Sequence, residues 1–328
     1  MEIKQIVIWG HKLHSHTHSY IHNGFYLGFK SLGYPTSWYD DHDDVSQIDF
    51  TQSLFITEHQ VNKKIPLRTD CLYLSHYVDK GDYEGVPKEN IIVLKVTLRD
   101  FRDEPQDTIY TPLKDGEKHE YHSQIDGYHC LYMYWATDLL PHEIDQNIQR
   151  ISEIQRSRTN EVNFIGSVTD VWYFFRQICL ENGIKFNQSG ATFDKSSVYN
   201  VSIEENVKRI QTSLISPAFQ SQSQLVERYI PCRIFKNISY GRMGITNNPI
   251  VHELFDEALL YDTDFVQLIN KGIQFELNPD KQETVVKLMS FVRDHHTYLN
   301  RIHSIQTYIH TYTSFTLHSV DMKLSSCQ

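Results

Sequence analysis

The fold is decided by the stretch "IVIWGHKLHSHTHSYIHNGFYLGFKSLGY", residues 6–34. It opens with an apolar, β-branched run that is typical of a buried strand and stops at Gly10. After a loop rich in histidine, apolar residues recur at helical spacing up to Gly33, which suits the left-handed backbone at a helix end. "YPTSWYD" then has the composition of a strand. This order of elements predicts that the chain opens with a βαβ unit.

The rest of the chain repeats this plan. Short apolar runs such as "SLFITE", "CLYLSHY" and "NIIVLKVTL" extend a mainly parallel sheet. A second opening, "NEVNFIGSV" followed by the helical "DVWYFFRQICLENG", comes after a polar stretch. We therefore expect an α/β protein with two Rossmann-like, doubly wound domains that face a cleft. The expected boundaries are 1–155, 156–285 and 286–328, the last being C-terminal helices that pack back on the first domain.

Composition narrows the classes of function. The chain has 328 residues and a formal net charge of −10, which argues against nucleic-acid binding through a general basic surface. Its 5 cysteines are scattered without a CxxC pair, so they predict buried thiols in a reducing compartment. No window is apolar enough for a transmembrane segment or a signal peptide. We expect a cytoplasmic protein of unknown oligomeric state.

Two cationic residues in the second half of the chain are candidates for binding an anionic ligand. In "IPCRIFKNISYGRMG", residues 230–244, Arg233 and Lys236 stand three apart near the start of a predicted helix. Free amides at a helix start and cationic side chains both donate to the oxygens of a diphosphate. The alternative is a solvated face, with Ile234 and Phe235 in the core. Upstream, Ser202 and Glu205 have the spacing of a capping box, which predicts another helix start.

The segment "IPCRIFKNISYGRMGITNNPIVHELF" resembles the nucleotide-sugar segment of GT-B fold glycosyltransferases, including CgeB-like, group 1, exostosin-like and fucosyltransferase-like enzymes. The resemblance covers residues 200–270, and the two-domain plan fits the whole chain. It implies metal-independent sugar transfer from a UDP- or GDP-sugar, with no other cofactor. Many retaining members carry an acidic residue in this helix, whereas here Asn237 lies in that vicinity and Glu227 lies before the helix. The stereochemical outcome therefore stays open.

Further donor contacts are expected on the loops that follow the strands. With Arg233 and Lys236, the candidates for binding the nucleotide-sugar are Gly166, Ser167, Ser216, Gln220, Tyr240 and Asn247. Glycine lets the backbone approach a phosphate, but Gly166 and Ser167 also fit a simple turn. The loop at Ser216 and Gln220 needs no ligand to explain it, and a tyrosine such as Tyr240 is more often a core residue.

The histidine loop supplies the candidate base. In GT-B enzymes the acceptor lies on the N-terminal domain, and a largely neutral imidazole can remove the proton of its hydroxyl. We favour His16, then His18, then His14. We assign His11 and His22 to helix capping and packing. A metal is the weaker interpretation because no carboxylate or cysteine stands beside the cluster in sequence, and the "WYDDHDD" run is typical of a solvated loop.

These observations favour a glycosyltransferase that moves a hexosyl or deoxyhexosyl group to a hydroxyl of a glycan or a related acceptor. Two alternatives remain open: a non-hydrolysing sugar-nucleotide epimerase, and a non-catalytic nucleotide- or glycan-binding protein on the same scaffold. A dehydrogenase and a P-loop enzyme are disfavoured because neither G-x-G-x-x-G nor GxxxxGK[ST] occurs where a strand meets a helix.

Overall fold

The computed structural model describes residues 1–13, 18–58, 62–79, 81–98, 108–165, 170–189 and 202–318. The strands are β1 (Gln5–Trp9), β2 (Thr36–Tyr39), β3 (Ser53–Thr57), β4 (Leu72–Ser75), β5 (Ile91–Lys95), β6 (Thr111–Pro112), β7 (Tyr121–Ile125), β8 (Tyr128–Tyr132), β9 (Glu161–Ile165), β10 (Lys185–Ser189), β11 (Ile245–Thr246) and β12 (Leu260–Tyr261). The helices are α1 (His18–Ser31), α2 (Pro141–Gln149), α3 (Ile151–Arg156), α4 (Asp170–Glu181), α5 (Ile203–Thr212), α6 (Gln222–Val226), α7 (Cys232–Ser239), α8 (Pro249–Leu254), α9 (Phe265–Leu277), α10 (Lys281–His295) and α11 (Tyr298–Tyr312). The predicted α/β class is confirmed.

The chain divides into two compact units. The first comprises Met1–Val96, Asp100–Tyr134 and Tyr298–Gln328, and the second comprises Thr97–Arg99 and Trp135–Thr297. Helix α2, which precedes the boundary expected at 155, and helix α3, which crosses it, belong to the second unit. Helix α11 belongs to the first. Among the described residues, no helix is both long and apolar enough to cross a membrane.

The first unit is built on an eight-stranded sheet. Its strand order is β2-β1-β3-β4-β5-β8-β7-β6, and the strands from β2 to β8 in that order pair in parallel. Strands β1, β3 and β4 are buried almost throughout, because helices or loops cover both faces of such a sheet. Helix α1 packs on α11, where Gly24 leaves room for the ring of Tyr298.

The far edge of this sheet differs from the sequence prediction. Strands β7 and β8 form an antiparallel hairpin, and β6 pairs antiparallel with β7. Asp126 and Gly127 connect the two strands, and both have positive φ, at 52° and 84°. An Asp-Gly pair with this backbone is the preferred two-residue hairpin turn. The sheet is mainly parallel, as predicted, but the sequence also carried a signal for this hairpin in "QIDGYH" that the prediction did not use.

The second unit has two short parallel strand pairs, β10-β9 and β11-β12. The segment 213–218 lies between them. The amide of Leu214 donates to the carbonyl of Glu161 at 2.7 Å, and the amide of Ala218 donates to the carbonyl of Ile245 at 2.8 Å. An isolated bridge forms at Pro217, in place of a continuous ladder. Proline has no amide hydrogen to continue the ladder.

The helical predictions for this unit are confirmed where the structure describes them. The hydroxyl of Ser202 accepts the amide of Glu205 at 3.2 Å and caps α5. Helix α7 begins after Pro231, which occupies its N-cap, and ends before Gly241 with φ at 92°. Its buried side includes Ile234, Phe235 and Ile238.

Candidate functional site

Polar side chains gather at the carboxyl edge of the sheet in the first unit. His11 follows β1 and Gly10, Glu58 follows β3 directly, and His76 follows β4 directly. Strand β1 lies between β2 and β3, so the chain reverses its direction across the sheet at this point. In doubly wound sheets, ligands bind in the crevice at such a reversal. The fold therefore brings these three side chains to the usual place for a site.

Glu58 is the centre of this cluster. Its carboxylate is fully buried, and two imidazoles hold it, one on each oxygen. Nδ1 of His11 lies 2.6 Å from Oε1, and Nδ1 of His18 is hydrogen-bonded to Oε2. The amide of His11 also approaches Oε1 at 3.3 Å. We call Glu58, His11, His18, His22 and His76 the histidine-glutamate cluster.

The charge of Glu58 is maintained by these neighbours. Burial by itself raises the pKa of this carboxyl group. The hydrogen bonds from His18 and His11, together with the charge interactions of His22 and His18, outweigh burial and hold the pKa well below its ordinary value. Glu58 is therefore an anion at neutral pH, placed where water cannot compete for it.

His22 is the most deeply buried member. It lies on α1 at 0 % exposure, and its Nδ1 is 3.9 Å from Oε1 of Glu58. Burial lowers its pKa from 6.5 to about 4, although the charge of Glu58 acts in the opposite direction. Its ring fills the space beside Gly10, where an added Cβ would lie 2.0 Å from the His22 Cε1 atom. Gly10 is required here because a larger residue would collide with a neutral, buried imidazole.

The pairing with Glu58 determines what His11 and His18 can do. A carboxylate accepts hydrogen bonds, so each ring in its neutral form donates Nδ1–H and keeps its lone pair on Nε2. The side chains of His11 and His18 remain 23 % and 29 % exposed. An imidazole oriented by a buried carboxylate in this way can remove a proton from a hydroxyl group.

In the second unit, Arg233 lies at the carboxyl end of β9. Its Nε donates to the carbonyl of Ile165 at 3.2 Å, and its guanidinium carbon lies 4.3 Å from the ring centroid of Phe164. Burial lowers the pKa of Arg233. A guanidinium stays charged in proteins, so the cost of burial favours an anion beside it.

Lys236 has a different environment from the one that the sequence suggested. Its Nζ lies 2.9 Å from Oδ2 of Asp138, and the hydroxyl of Tyr240 donates to Oδ1 of the same residue at 2.6 Å. Burial raises the pKa of Asp138, but Lys236 and Tyr240 lower it further than burial raises it. The charge of Lys236 is thus balanced within its own unit, and Tyr240 is buried.

Ser216, Gln220 and Asn247, also candidates for binding the nucleotide-sugar, belong to a buried hydrogen-bond network beside the end of β11. Gln220 and Asn247 exchange two hydrogen bonds, at 2.9 Å and 3.0 Å, and Asn248 donates to Oε1 of Gln220 at 2.6 Å. The carbonyl of Ser216 accepts from Asn237 at 2.8 Å. The Ser216 hydroxyl is buried and has no hydrogen-bond partner in the described parts of the chain. These contacts hold the loops of this edge together.

Four predicted residues lie outside the described residues: His14, His16, Gly166 and Ser167. Of the three candidate bases, the structure describes His18, and it joins His18 to His11. Sequence reasoning missed Glu58, His76 and Asp138. Glu58 and His76 could have been found, because each is the first polar residue after a buried strand, in "FITEH" and "YLSHY".

Comparison with protein-family models, with curated proteins and with solved structures finds no match for this chain. In the described ranges, no group of three or more His, Cys, Asp or Glu side chains is arranged to hold a metal ion.

Proposed function

We propose that this protein is a glycosyltransferase that moves a sugar from a UDP- or GDP-sugar to a hydroxyl acceptor, with His18 as the base. One observation carries the proposal: a partly exposed imidazole is hydrogen-bonded through Nδ1 to the buried carboxylate of Glu58. This pairing supports proton removal by Nε2, as it does wherever a carboxylate orients a catalytic histidine.

The proposed reaction has one covalent step. The acceptor oxygen attacks the anomeric carbon, its proton passes to Nε2 of His18, and the bond from that carbon to the diphosphate oxygen breaks. Glu58 stabilises the imidazolium that results, because it remains an anion at 2.6 Å from His11 and in a hydrogen bond with His18. A single displacement of this kind inverts the anomeric centre.

The leaving nucleoside diphosphate needs positive charge. Arg233 supports this role because it is a desolvated cation at the carboxyl end of a parallel strand and near the start of α7. Lys236 supports it less, since Asp138 already takes its charge. We therefore assign the diphosphate to Arg233, with Gln220 and Asn247 holding the loops beside it.

The first test is a thermal-shift screen with UDP, GDP, ADP and CMP. A ligand at a hundred times its dissociation constant adds about 2.7 kcal/mol to the free energy of unfolding. We expect UDP or GDP to stabilise the wild type and the exposed-residue control Arg176→Ala equally, and to have little effect on Arg233→Ala. Equal stabilisation of Arg233→Ala would remove Arg233 from the donor site.

The second test is product analysis with the stabilising donor and a panel of glycan acceptors. We expect sugar transfer that needs an acceptor and that falls by about 100-fold or more in His18→Gln. The control is His303→Gln, because His303 is exposed on α11 in the same unit. Conversion of the donor without an acceptor would favour an epimerase. Donor binding without any turnover would favour a binding protein.

A further inference from the structure

Two contacts of the His18 ring bear on its orientation. Its Nδ1 bonds to Oε2 of Glu58, and the ring meets that of His76 edge to face, at a centroid distance of 5.2 Å and an interplanar angle of 81°. The hydrogen bond restrains the position of Nδ1. The edge-to-face contact with His76 further restrains the plane of the ring, because this is a preferred arrangement of two aromatic rings.

The backbone and the ring of His76 both make contacts of their own. Its amide donates to the carbonyl of Thr57 at 3.1 Å, so the backbone at the end of β4 is tied to the end of β3. The ring of His22 lies 5.9 Å from that of His76, and Trp38 lies 6.2 Å from His22 at 90°. Trp38 in turn donates through Nε1 to the carbonyl of Gly10 at 3.1 Å. The row of rings therefore ends on the backbone of Gly10, directly after β1.

From this arrangement we infer that His76 is a positioning residue, which sets the plane of the His18 ring and so aims its Nε2 atom. The inference rests on the proposed role of His18 as a base. We assign this role to the shape of the His76 ring, because its contacts with His18 and His22 are both contacts between rings. Misplacement of a catalytic group by about 1 Å can lower a rate by about 100-fold.

The test compares His76→Phe, which keeps a flat ring, with His76→Ala, which removes it. With the donor and acceptor that the wild type uses, we expect His76→Ala to lower kcat about 10- to 100-fold with KM little changed. We expect His76→Phe to restore kcat to within about threefold of the wild type and to keep the shape of the pH profile. Equal loss in both variants, with one limb of the pH profile missing, would show that His76 transfers a proton and overturn the inference.

A second readout does not need turnover. In protein labelled with ¹⁵N in histidine, the ring signals of His18 are assigned by their loss in His18→Gln. We expect the tautomer protonated at Nδ1 in all three proteins, because Glu58 sets it, and we expect the His18 ring signals to be broadened by ring motion in His76→Ala but not in His76→Phe. A wild type without transferase activity would refute the proposed function alone. Narrow His18 ring signals together with unchanged kcat in His76→Ala would refute the positioning role alone.

Discussion

Nζ of Lys236 lies 2.9 Å from Oδ2 of Asp138, and the two side chains are only 21 % and 11 % exposed. This ion pair anchors α7 to the residues that follow β8, and Tyr240 completes it on the other carboxylate oxygen. When an ion pair is largely shielded from water, the loss of one partner leaves the other as a poorly solvated charge. The fold therefore depends on both partners. The relationship makes Lys236 part of the fold of its unit.

Removal of the Asp138 charge is expected to destabilise the protein. Asp138→Asn leaves Lys236 without a counter-ion, and we expect a loss of about 2 kcal/mol, less than for a fully buried pair because Lys236 keeps some contact with water. Urea unfolding measures this loss. Lys208→Gln is the control, since Lys208 is exposed on α5 and should change stability by less than about 0.5 kcal/mol. A neutral Asp138→Asn variant would contradict the structural role of the pair.

Glu276, near the end of α9, is surrounded by three cations. Oε1 lies 3.1 Å from Arg242, Oε2 pairs with Arg158, and Nζ of Lys281 lies 3.5 Å from Oε2. Glu276 and Arg242 are 9 % and 1 % exposed. Burial, followed by the charge of Arg158, lowers the pKa of Arg242 to about 9. One carboxylate therefore offsets most of the repulsion among three cations, with help from the carbonyls of Gln211 and Leu214.

Glu276→Gln is expected to lower the free energy of unfolding by about 3 kcal/mol, because three desolvated cations lose their shared counter-ion. Chemical denaturation of the purified variant measures this. The matched control is Glu283→Gln on α10, whose pair with Lys287 is exposed and should leave the stability nearly unchanged. Similar stabilities for the two variants would show that the Glu276 cluster is neutralised in some other way.

His22 predicts a dependence of stability on pH. Its pKa is about 4 in the folded chain and 6.5 when exposed, so the unfolded chain binds more protons between these values. The free energy of unfolding should therefore be at its full value above about pH 6.5 and should fall as the pH drops toward 4, by about 3 kcal/mol from this residue. The comparison is with His22→Leu, which should flatten the curve in this window.

The contributions of His22 and Glu58 to this pH dependence fall in different pH ranges. Glu58 also has a lowered pKa, but its contribution is lost only below its ordinary value of 4.5. Burial also lowers the pKa values of His122, His129 and His252, so these residues contribute to the loss between pH 6.5 and 4.5 as well. The difference between the wild-type and His22→Leu curves in this range is therefore the part that reports on His22. His303→Gln should keep the wild-type curve, because His303 is exposed. A His22→Leu curve parallel to the wild type in this window would mean that His22 titrates normally in the folded protein.

The sequence was informative where one local rule decides the structure. Buried runs ended by Gly10 and Gly33 gave β1 and α1, and the Ser202 cap gave the start of α5. It failed where pairing partners decide, because the polar face of β7 at "YHSQI" resembles a loop until the hairpin is recognised. Pro217 shows the same limit, since only its neighbours reveal that its segment lies between two strands.

In the candidate site, too, some residues could be recognised from the sequence and others only from the fold. The histidine-rich loop was evident, but a carboxylate forty positions after His18 becomes its partner only through the sheet order, since β1 and β3 are adjacent. The absence of a nearby acid in sequence therefore said nothing about the cluster. Lys236 gives the converse case: its spacing from Arg233 indicated a shared ligand, whereas the structure pairs it with Asp138, from before α2. Local spacing identifies which side chains share a helix, and only the fold identifies their partners.

The most demanding prediction concerns Glu58. In Glu58→Gln the amide offers one acceptor oxygen and one donor nitrogen, so it can accept Nδ1–H from His11 or from His18 but not from both. The ring that faces the amide nitrogen must present a lone pair at Nδ1, which moves its proton to Nε2 and removes its ability to act as a base there. We expect transferase activity to fall by about 100-fold or more in Glu58→Gln. We also expect that raising the pH will not recover the activity. The measurement is kcat/KM against pH, with His303→Gln as the control. If Glu58→Gln keeps activity within about threefold of the wild type while its unfolding midpoint also stays unchanged, the carboxylate neither orients nor charges the base, and His18 must be replaced as the candidate.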